Sequence, residues 1–234
     1  MRFEDLSWMD VENYLQLEDR VMLVLGACEQ HGYLSLLTDV KIPQVLADLA
    51  SRRSNILVAP PLNFGVSPYF LDYPGTISLR LQTFLGVLED IVRSLHRQGF
   101  RRMLILNGHG GNSAARAYLQ ELLNELQDLR LIWYDWWLSK RIEAIAEKYN
   151  LRPGHANWLE AFPFTQTSNS DPLPSLVKTP PQVPSFLMDA HSARMTYDDG
   201  SFGGPYQASD TIMHEILNAA VEEVLYLLEN GFES

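Results

Sequence analysis

Short aliphatic runs recur along the chain, each followed by a stretch of helical spacing. Val21 to Leu25 is too short for a helix and aliphatic at every position, which predicts a strand buried on both faces and ended by Gly26. Asn55 to Ala59 predicts a second strand, stopped by Pro60 and Pro61 because neither proline can donate to a ladder. Arg102 to Leu106 and Leu129 to Tyr134 predict two more. Between them the spacing predicts helices: Lys41 to Ala50 with Pro43 in its first turn, Phe84 to Leu95 before Gly99, a segment carrying Ala114, Ala117, Leu119, Leu122 and Leu123, and one ending near Asn150. Ser7 with Asp10 three residues on predicts a capped first helix facing inward through Val11, Tyr14 and Leu15. Ser209 to Asn230 predicts a long closing helix. Strands alternating with helices of this length predict an α/β fold, a parallel sheet with helices on both faces, in a single domain over 1–234.

Two stretches break the pattern. Asn63 to Thr76 is aromatic and punctuated by Gly and Pro, the composition of a lid or pocket wall. Residues 163–208 hold seven of the thirteen prolines and show no helical periodicity. They predict an extended surface excursion anchored by Phe186, Leu187, Met188, Tyr197, Phe202 and Tyr206. Just before it, Gly154 breaks the chain and a helix is predicted to begin near Ala156, with His155 ahead of it and Glu160 about one turn in.

In an open parallel sheet, ligands bind beyond the carboxyl ends of the strands. There the pattern places Glu29 and His31 after the first strand and His109, within Asn107-Gly-His-Gly-Gly-Asn112, after the third. Side chains two apart in an extended loop point the same way, so Glu29 and His31 can converge on one ion. Asp39 returns from the start of the next helix, where Thr38 or Asp39 has the plainer reading of a helix cap. With Glu160 the set holds two imidazoles and three carboxylates, which suits two divalent ions. Mixed nitrogen and oxygen ligation favours Zn, Mn or Fe over Mg or Ca, with Zn first. Three carboxylates buried together without cations would repel, whereas two dications with a bridging hydroxide balance them and supply a nucleophile at neutral pH. His155 is then placed to carry a proton to a leaving nitrogen. A phosphate-binding turn at the glycines lacks both the G-x-G-x-x-G spacing and the Lys-Ser/Thr of a P-loop. Cys28 has no His or Lys partner nearby and reads as a packed thiol.

Composition narrows the partners. With 234 residues and 46% hydrophobic content the chain can bury a sizeable core, and a formal charge of −11 with no Lys/Arg cluster beyond Arg52-Arg53 and Arg101-Arg102 argues against a nucleic-acid or anionic-membrane partner. One cysteine allows no internal disulfide, the first residues carry acids where a signal peptide carries bases, and no apolar run approaches the ~20 residues of a membrane span. A cytoplasmic protein is expected.

Glu29-Gln-His-Gly32 with Asp39, Asn107 to Asn112, and His155-Ala156 with Glu160 together resemble the creatininase (creatinine amidohydrolase) family. Pro74 to Ser78 and Gly200 to Pro205 match further family stretches, so the resemblance runs from about Ser7 to the last helix. It implies a three-layer α/β/α sandwich, a two-metal centre, and hydrolysis of non-peptide C–N bonds in linear or cyclic amides. By position, Glu29, Asp39 and His109 would hold one ion and His31, Asp39 and Glu160 the other, with Asp39 bridging. His155 matches a histidine near the substrate, and the resemblance implies a homo-oligomer, a hexamer. The chain departs from the family at Leu34, where a second His is usual. It departs at Ser67 to Phe70, where an acidic-His pair is usual, and after His155-Ala156, where Gly-Glu and then Glu-Thr-Ser are usual and this chain has Asn157-Trp158 and Glu160-Ala161-Phe162. Some members take the last carboxylate from two residues after the second-strand His, but that position here is Gly111, which leaves Glu160. The departures make the pocket wall more apolar and point away from creatinine toward a bulkier or more aromatic amide. The competing class is a non-catalytic metal-binding oligomeric module that keeps the fold.

Overall fold

The computed structural model describes residues 1–167 and 173–233. Four strands, β1 (Arg20–Leu25), β2 (Leu57–Val58), β3 (Arg102–Asn107) and β4 (Arg130–Asp135), form one parallel sheet in the order β2-β1-β3-β4. The aliphatic runs are buried on both faces, as their composition predicts. Val21, Leu23 and Leu25 of β1, with Met103 and Ile105 of β3, face one layer, and Met22, Val24, Leu104 and Leu106 face the other. The first layer is built by α3 (Leu81–Gln98) and α4 (Ala115–Glu125), with α1 (Trp8–Leu15) lying partly buried against it. The second is built by α2 (Thr38–Ser54), α5 (Lys140–Lys148) and α7 (Asp210–Asn230). The result is the expected three-layer α/β/α arrangement.

Local chemistry sets the helix ends. Ser7 accepts from Asp10 N while the Asp10 carboxylate accepts from Ser7 N, the reciprocal capping box. Gly99 ends α3 at φ 119°, a left-handed turn open to glycine. α2 begins three residues earlier than its spacing predicts, and neither Thr38 nor Asp39 caps it: the position before the helix is Leu37, which makes no side-chain capping bond. Pro43 therefore lies inside α2, where it cannot return an amide proton to the Asp39 carbonyl. Gly108, just past β3, stands against that carbonyl; a Cβ there would lie 1.9 Å from Asp39 O and 2.8 Å from Pro43 Cγ. The close approach brings the first turn of α2 onto the end of the sheet.

The predicted helix near Ala156 is absent. Its place is taken by a single 3-10 turn, Trp158–Glu160, whose start is closed by the Asn157 side chain accepting from Leu159 N. Within the proline-rich excursion the structure has more order than the sequence predicts. There α6 (Ala190–Tyr197) is capped by Asp189, and β5 (Val177–Lys178) pairs antiparallel with β6 (Gly204–Pro205). Lys178 ties the segment together, donating to Tyr197 O at 2.6 Å, to Ser201 O at 2.9 Å and to the Asp199 carboxylate, which Tyr206 OH also reaches. Residues 168–172 of the excursion lie outside the described residues. No helix among the described residues is long and apolar enough to cross a membrane.

Candidate metal centre and its cavity

Every predicted polar residue meets at the carboxyl end of the sheet. Glu29 and His31 come from the loop after β1, which is tied to the aromatic lid by Ile77 N to Cys28 O at 2.8 Å and Gln30 N to Thr76 Oγ1 at 3.0 Å. Asp39 comes from the first turn of α2, whose N-terminal amides favour a carboxylate. His109 follows β3 on a turn built by Asn107, which donates to His109 O at 2.8 Å and to Asp135 Oδ1 at 2.7 Å. Glu160 ends the 3-10 turn and accepts from Ala156 N at 2.6 Å.

Asp39 sits at the middle. Its Oδ1 lies 2.9 Å from His31 Nε2 and its Oδ2 lies 2.8 Å from His109 Nδ1. Glu29 Oε1 is 3.5 Å from His109 Nδ1, and Glu160 Oε1 is 3.9 Å from His31 Nε2. Two triads of candidate donors follow, Glu29 with Asp39 and His109, and His31 with Asp39 and Glu160; a third grouping is Glu29 with His31 and His155.

The far nitrogens of the two imidazoles are engaged by backbone. His31 Nδ1 lies 3.1 Å from Glu29 O, and His109 Nε2 lies 3.0 Å from Val66 O and 3.2 Å from Ser67 Oγ. A carbonyl only accepts, so both of those nitrogens carry the proton and the nitrogens facing Asp39 carry lone pairs in the neutral rings. Glu29 Oε2, His31 Nε2 and Asp39 Oδ2 have no aligned hydrogen-bond partner although all are buried, their close neighbours notwithstanding. Buried polar atoms are ordinarily satisfied, and three orphans within one cluster of candidate donors fit divalent ions between those donors.

The electrostatics agree. Burial alone would lower the His31 imidazole, but Asp39, Glu160 and Glu29 outweigh it and hold it up to about 10. His109 is lowered by burial and raised more by Glu29 and Asp39, to about 9. Asp39 is raised by burial, yet its two imidazoles hold it well below the usual carboxylate range. Burial pushes Glu160 up to about 7 and raises Glu29. Without cations the crowded carboxylates are thus pushed toward their protonated forms and the imidazoles toward their charged ones.

His155 stands to one side of the triads. Its Nδ1 is 3.7 Å from Glu29 Oε1, its ring centroid is 4.4 Å from that of His31, and burial followed by the His31 charge keeps it well below its ordinary value, hence neutral. Together with Glu29, Asp39, His109 and Glu160 it lines a cavity of about 590 Å³. The cavity walls are apolar, from Val66, Tyr69, Phe70, Trp137, Leu138 and Phe202. The aromatic lid predicted from Asn63 to Thr76 thus supplies one wall. The opposite contribution, Phe202, lies in the excursion, and only the Lys178 knot reveals why it arrives there. Gln30 and Ser67, which touch the histidines, carry no sequence signal beyond their neighbours.

The family model for creatinine amidohydrolase, or creatininase, matches residues 4–228. A creatinine amidohydrolase of Pseudomonas putida is 33% identical over 146 residues, 57% of this chain and 56% of that protein. A mycofactocin precursor peptide peptidase of Mycolicibacterium smegmatis is 35% identical over 118 residues, 46% of this chain and 47% of that protein. The chain thus spans about half the length of the curated relatives it matches. The likeness of fold extends further: a mutant creatininase of the Zn-Zn type superposes with a TM-score of 0.85 at 25% identity, over 100% of this chain and 98% of that one. Matched across most of its sequence and all of its fold, the chain belongs to the creatininase family.

Proposed function

We propose that the protein is a dinuclear metal-dependent amidohydrolase that cleaves a non-peptide C–N bond of a small linear or cyclic amide. In this reading Glu29, Asp39 and His109 hold one divalent ion, and His31, Asp39 and Glu160 hold the other. The observation that carries it is the Asp39 carboxylate, whose two oxygens face two different imidazoles, so that two donor sets overlap on one residue. Zn suits this nitrogen and oxygen set best, with Mn or Fe as alternatives, and related creatininases with Mn and in a Zn-Zn form support a divalent transition metal here. Such ions supply Lewis acidity toward a carbonyl and a nucleophilic water at neutral pH.

The chain's own residues do the rest. His155 is the cavity imidazole that neither triad uses, and it lies beside Glu29 within reach of the reacting atoms. The apolar walls exclude water and strengthen every polar contact at the floor. Among the described residues no lysine or arginine lines the cavity and its floor is acidic, so a neutral amide with an apolar or aromatic group fits it better than an anionic one. A cavity of about 590 Å³ also exceeds the need of a small heterocycle. A homo-oligomer, hexameric by family resemblance, and a cytoplasmic location complete the proposal.

The test is elemental analysis of the purified chain, followed by a screen of cyclic ureides, small amides, neutral aryl amides and short peptides after zinc, manganese or iron loading. We expect close to two equivalents of transition metal and turnover of a neutral amide that a chelator abolishes and metal restores. A protein that holds no such metal overturns the two-metal reading. Metal held tightly with no turnover on any class would favour the non-catalytic module.

A further inference from the structure

His155 is gripped on several sides. Phe70 stacks on it with centroids 4.8 Å apart, Phe202 lies tilted at 4.9 Å, and Gln30 Nε2 lies 2.9 Å from His155 Nε2. The last contact has chemical content, because the orientation of the Gln30 amide is determined by its other neighbours. Gly32 N lies 3.0 Å from one end of the amide, and a backbone N–H can only donate, so that end is the oxygen. Gly200 O lies 3.1 Å from the other end, and a carbonyl can only accept, so that end is the NH₂. Turning the amide over would set donor against donor at Gly32 and acceptor against acceptor at Gly200, the second in a buried place. The NH₂ group therefore faces His155 Nε2, and that nitrogen must offer a lone pair. The remaining proton of a neutral ring sits on Nδ1, the nitrogen 3.7 Å from Glu29 Oε1 on the side of the carboxylate cluster.

We propose that Gln30 is a positioning residue that locks His155 as the Nδ1–H tautomer, so that this imidazole serves the reaction as a fixed hydrogen-bond donor rather than as a metal ligand. Ligation through Nδ1 would need a lone pair there and a proton on Nε2, which would meet the Gln30 NH₂ head on. The grouping of Glu29, His31 and His155 is disfavoured by the same clash, leaving the two triads that share Asp39. What remains is a neutral donor aimed at the cluster, suited to the oxygen on which negative charge develops as an amide carbonyl is attacked. The role in turnover rests on the amidohydrolase reading; the tautomer does not. Gly200 belongs to the device: at φ 91° a Cβ would lie 1.7 Å from Gln30 Oε1, so only glycine leaves room for the amide.

The experiment is long-range ¹H–¹⁵N correlation NMR on the zinc-loaded full chain with ¹⁵N-histidine, His155 being assigned by the loss of its signals in His155→Ala. The parent should show Nδ1 protonated and Nε2 bare. A proton on Nε2, or on both nitrogens, overturns the proposal, whatever the variants do. Gln30→Glu puts an acceptor-only group at Nε2 and should reverse the tautomer at unchanged zinc content, with kcat down on the order of 10²-fold, the usual loss for one oxyanion donor. Gln30→Leu should give a mixture of tautomers. A pure Nδ1–H signal surviving in Gln30→Leu would remove Gln30 from the role. Should the parent show the expected tautomer yet hydrolyse no amide, the functional reading fails and the tautomer assignment stands; amide turnover with a proton on Nε2 reverses that outcome.

Discussion

The ring of Phe70 lies nearly parallel to the imidazole of His155, their planes 12° apart and their centroids 4.8 Å. Phe70 is buried, and it carries this contact from the 3-10 turn Pro68–Phe70 of the lid. Aromatic stacking of this kind is worth about 0.5–1.5 kcal/mol beyond burial. Phe70→Leu keeps an apolar wall and removes the ring, so metal content should be unchanged and turnover of a neutral aryl amide should fall roughly 2- to 10-fold. Metal analysis beside steady-state kinetics checks it. A parallel loss of metal would mean that Phe70 supports the cluster and not His155.

Gly108, at the end of the sheet, and Gly86, inside α3, offer a matched pair of glycine substitutions. Gly108→Ala drives a methyl group into the Asp39 carbonyl and Pro43, both parts of a buried helix turn that cannot move without shifting the Asp39 carboxylate. Overpacking of this kind costs about 1–3 kcal/mol. A lower melting temperature together with weaker metal retention is expected. Gly86→Ala, inside α3 with nothing within 4 Å of the added carbon, should instead stabilise by about 0.5–1 kcal/mol through helix propensity. Thermal melts of both variants decide whether close approach or mere chain stiffness governs the first.

Much of this was legible in the sequence because it rests on local rules. β1 and β3 follow from aliphatic runs buried on both faces and β4, half-buried at the sheet edge, from its apolar run, and the strand ends place Glu29, His31 and His109. Glu160 reaches the same place for a reason with no periodic signal: one 3-10 turn held by Asn157 stands where a helix was expected. Phe202 and Gly200 stand out in the sequence, but their places beside His155 and Gln30 do not, because these depend on Lys178 bonding to Tyr197, Asp199 and Ser201, contacts made by one side chain across about twenty residues. The start of α2 was misjudged by its proline, which is tolerated inside the helix because the freed carbonyl faces Gly108.

The pH dependence of the chelator-treated protein should slope opposite to that of the loaded one. Glu160, His31 and His109 all have pKa values raised in the fold, to about 7, about 10 and about 9. A raised pKa gives stability that is present below the unfolded value and lost as pH rises through the folded one. Metal-free protein should therefore lose stability from about pH 4.5 to 7 through Glu160, and from about pH 6.5 to 10 through the imidazoles. Metal competes with those protons, so its uptake at pH 7 should release protons and strengthen with rising pH. Urea melts across pH 6 to 10, with calorimetry in buffers of different ionisation enthalpy, test both parts. Metal uptake without proton release would mean that the imidazoles are not ligands.

His155→Ala should keep its metals, since neither triad includes His155, and lose turnover by roughly 10²- to 10³-fold, the range for removal of a donor at the developing oxyanion. Metal lost together with activity would make His155 a ligand.

Asp39→Asn separates the two readings that this residue admits. As a helix cap, Asp39 would be replaced by Asn almost silently, because the two cap about equally well. The cap reading has already lost its structural basis, since α2 begins at Thr38 and Asp39 lies within its first turn. What Asp39 does instead is face His31 with one oxygen and His109 with the other. An amide in its place offers one oxygen and one NH₂, so a single side of the cluster keeps an acceptor and the other meets a donor where a cation should sit. The change also removes the charge that would lie between two dications. Asp39→Asn should therefore fold, hold markedly less metal than the parent, and cleave none of the amides that the parent cleaves. Circular dichroism establishes the fold, and elemental analysis after zinc loading measures the metal. Full metal content in a folded Asp39→Asn protein would show that the two triads do not share this carboxylate, and the dinuclear proposal would fall with it.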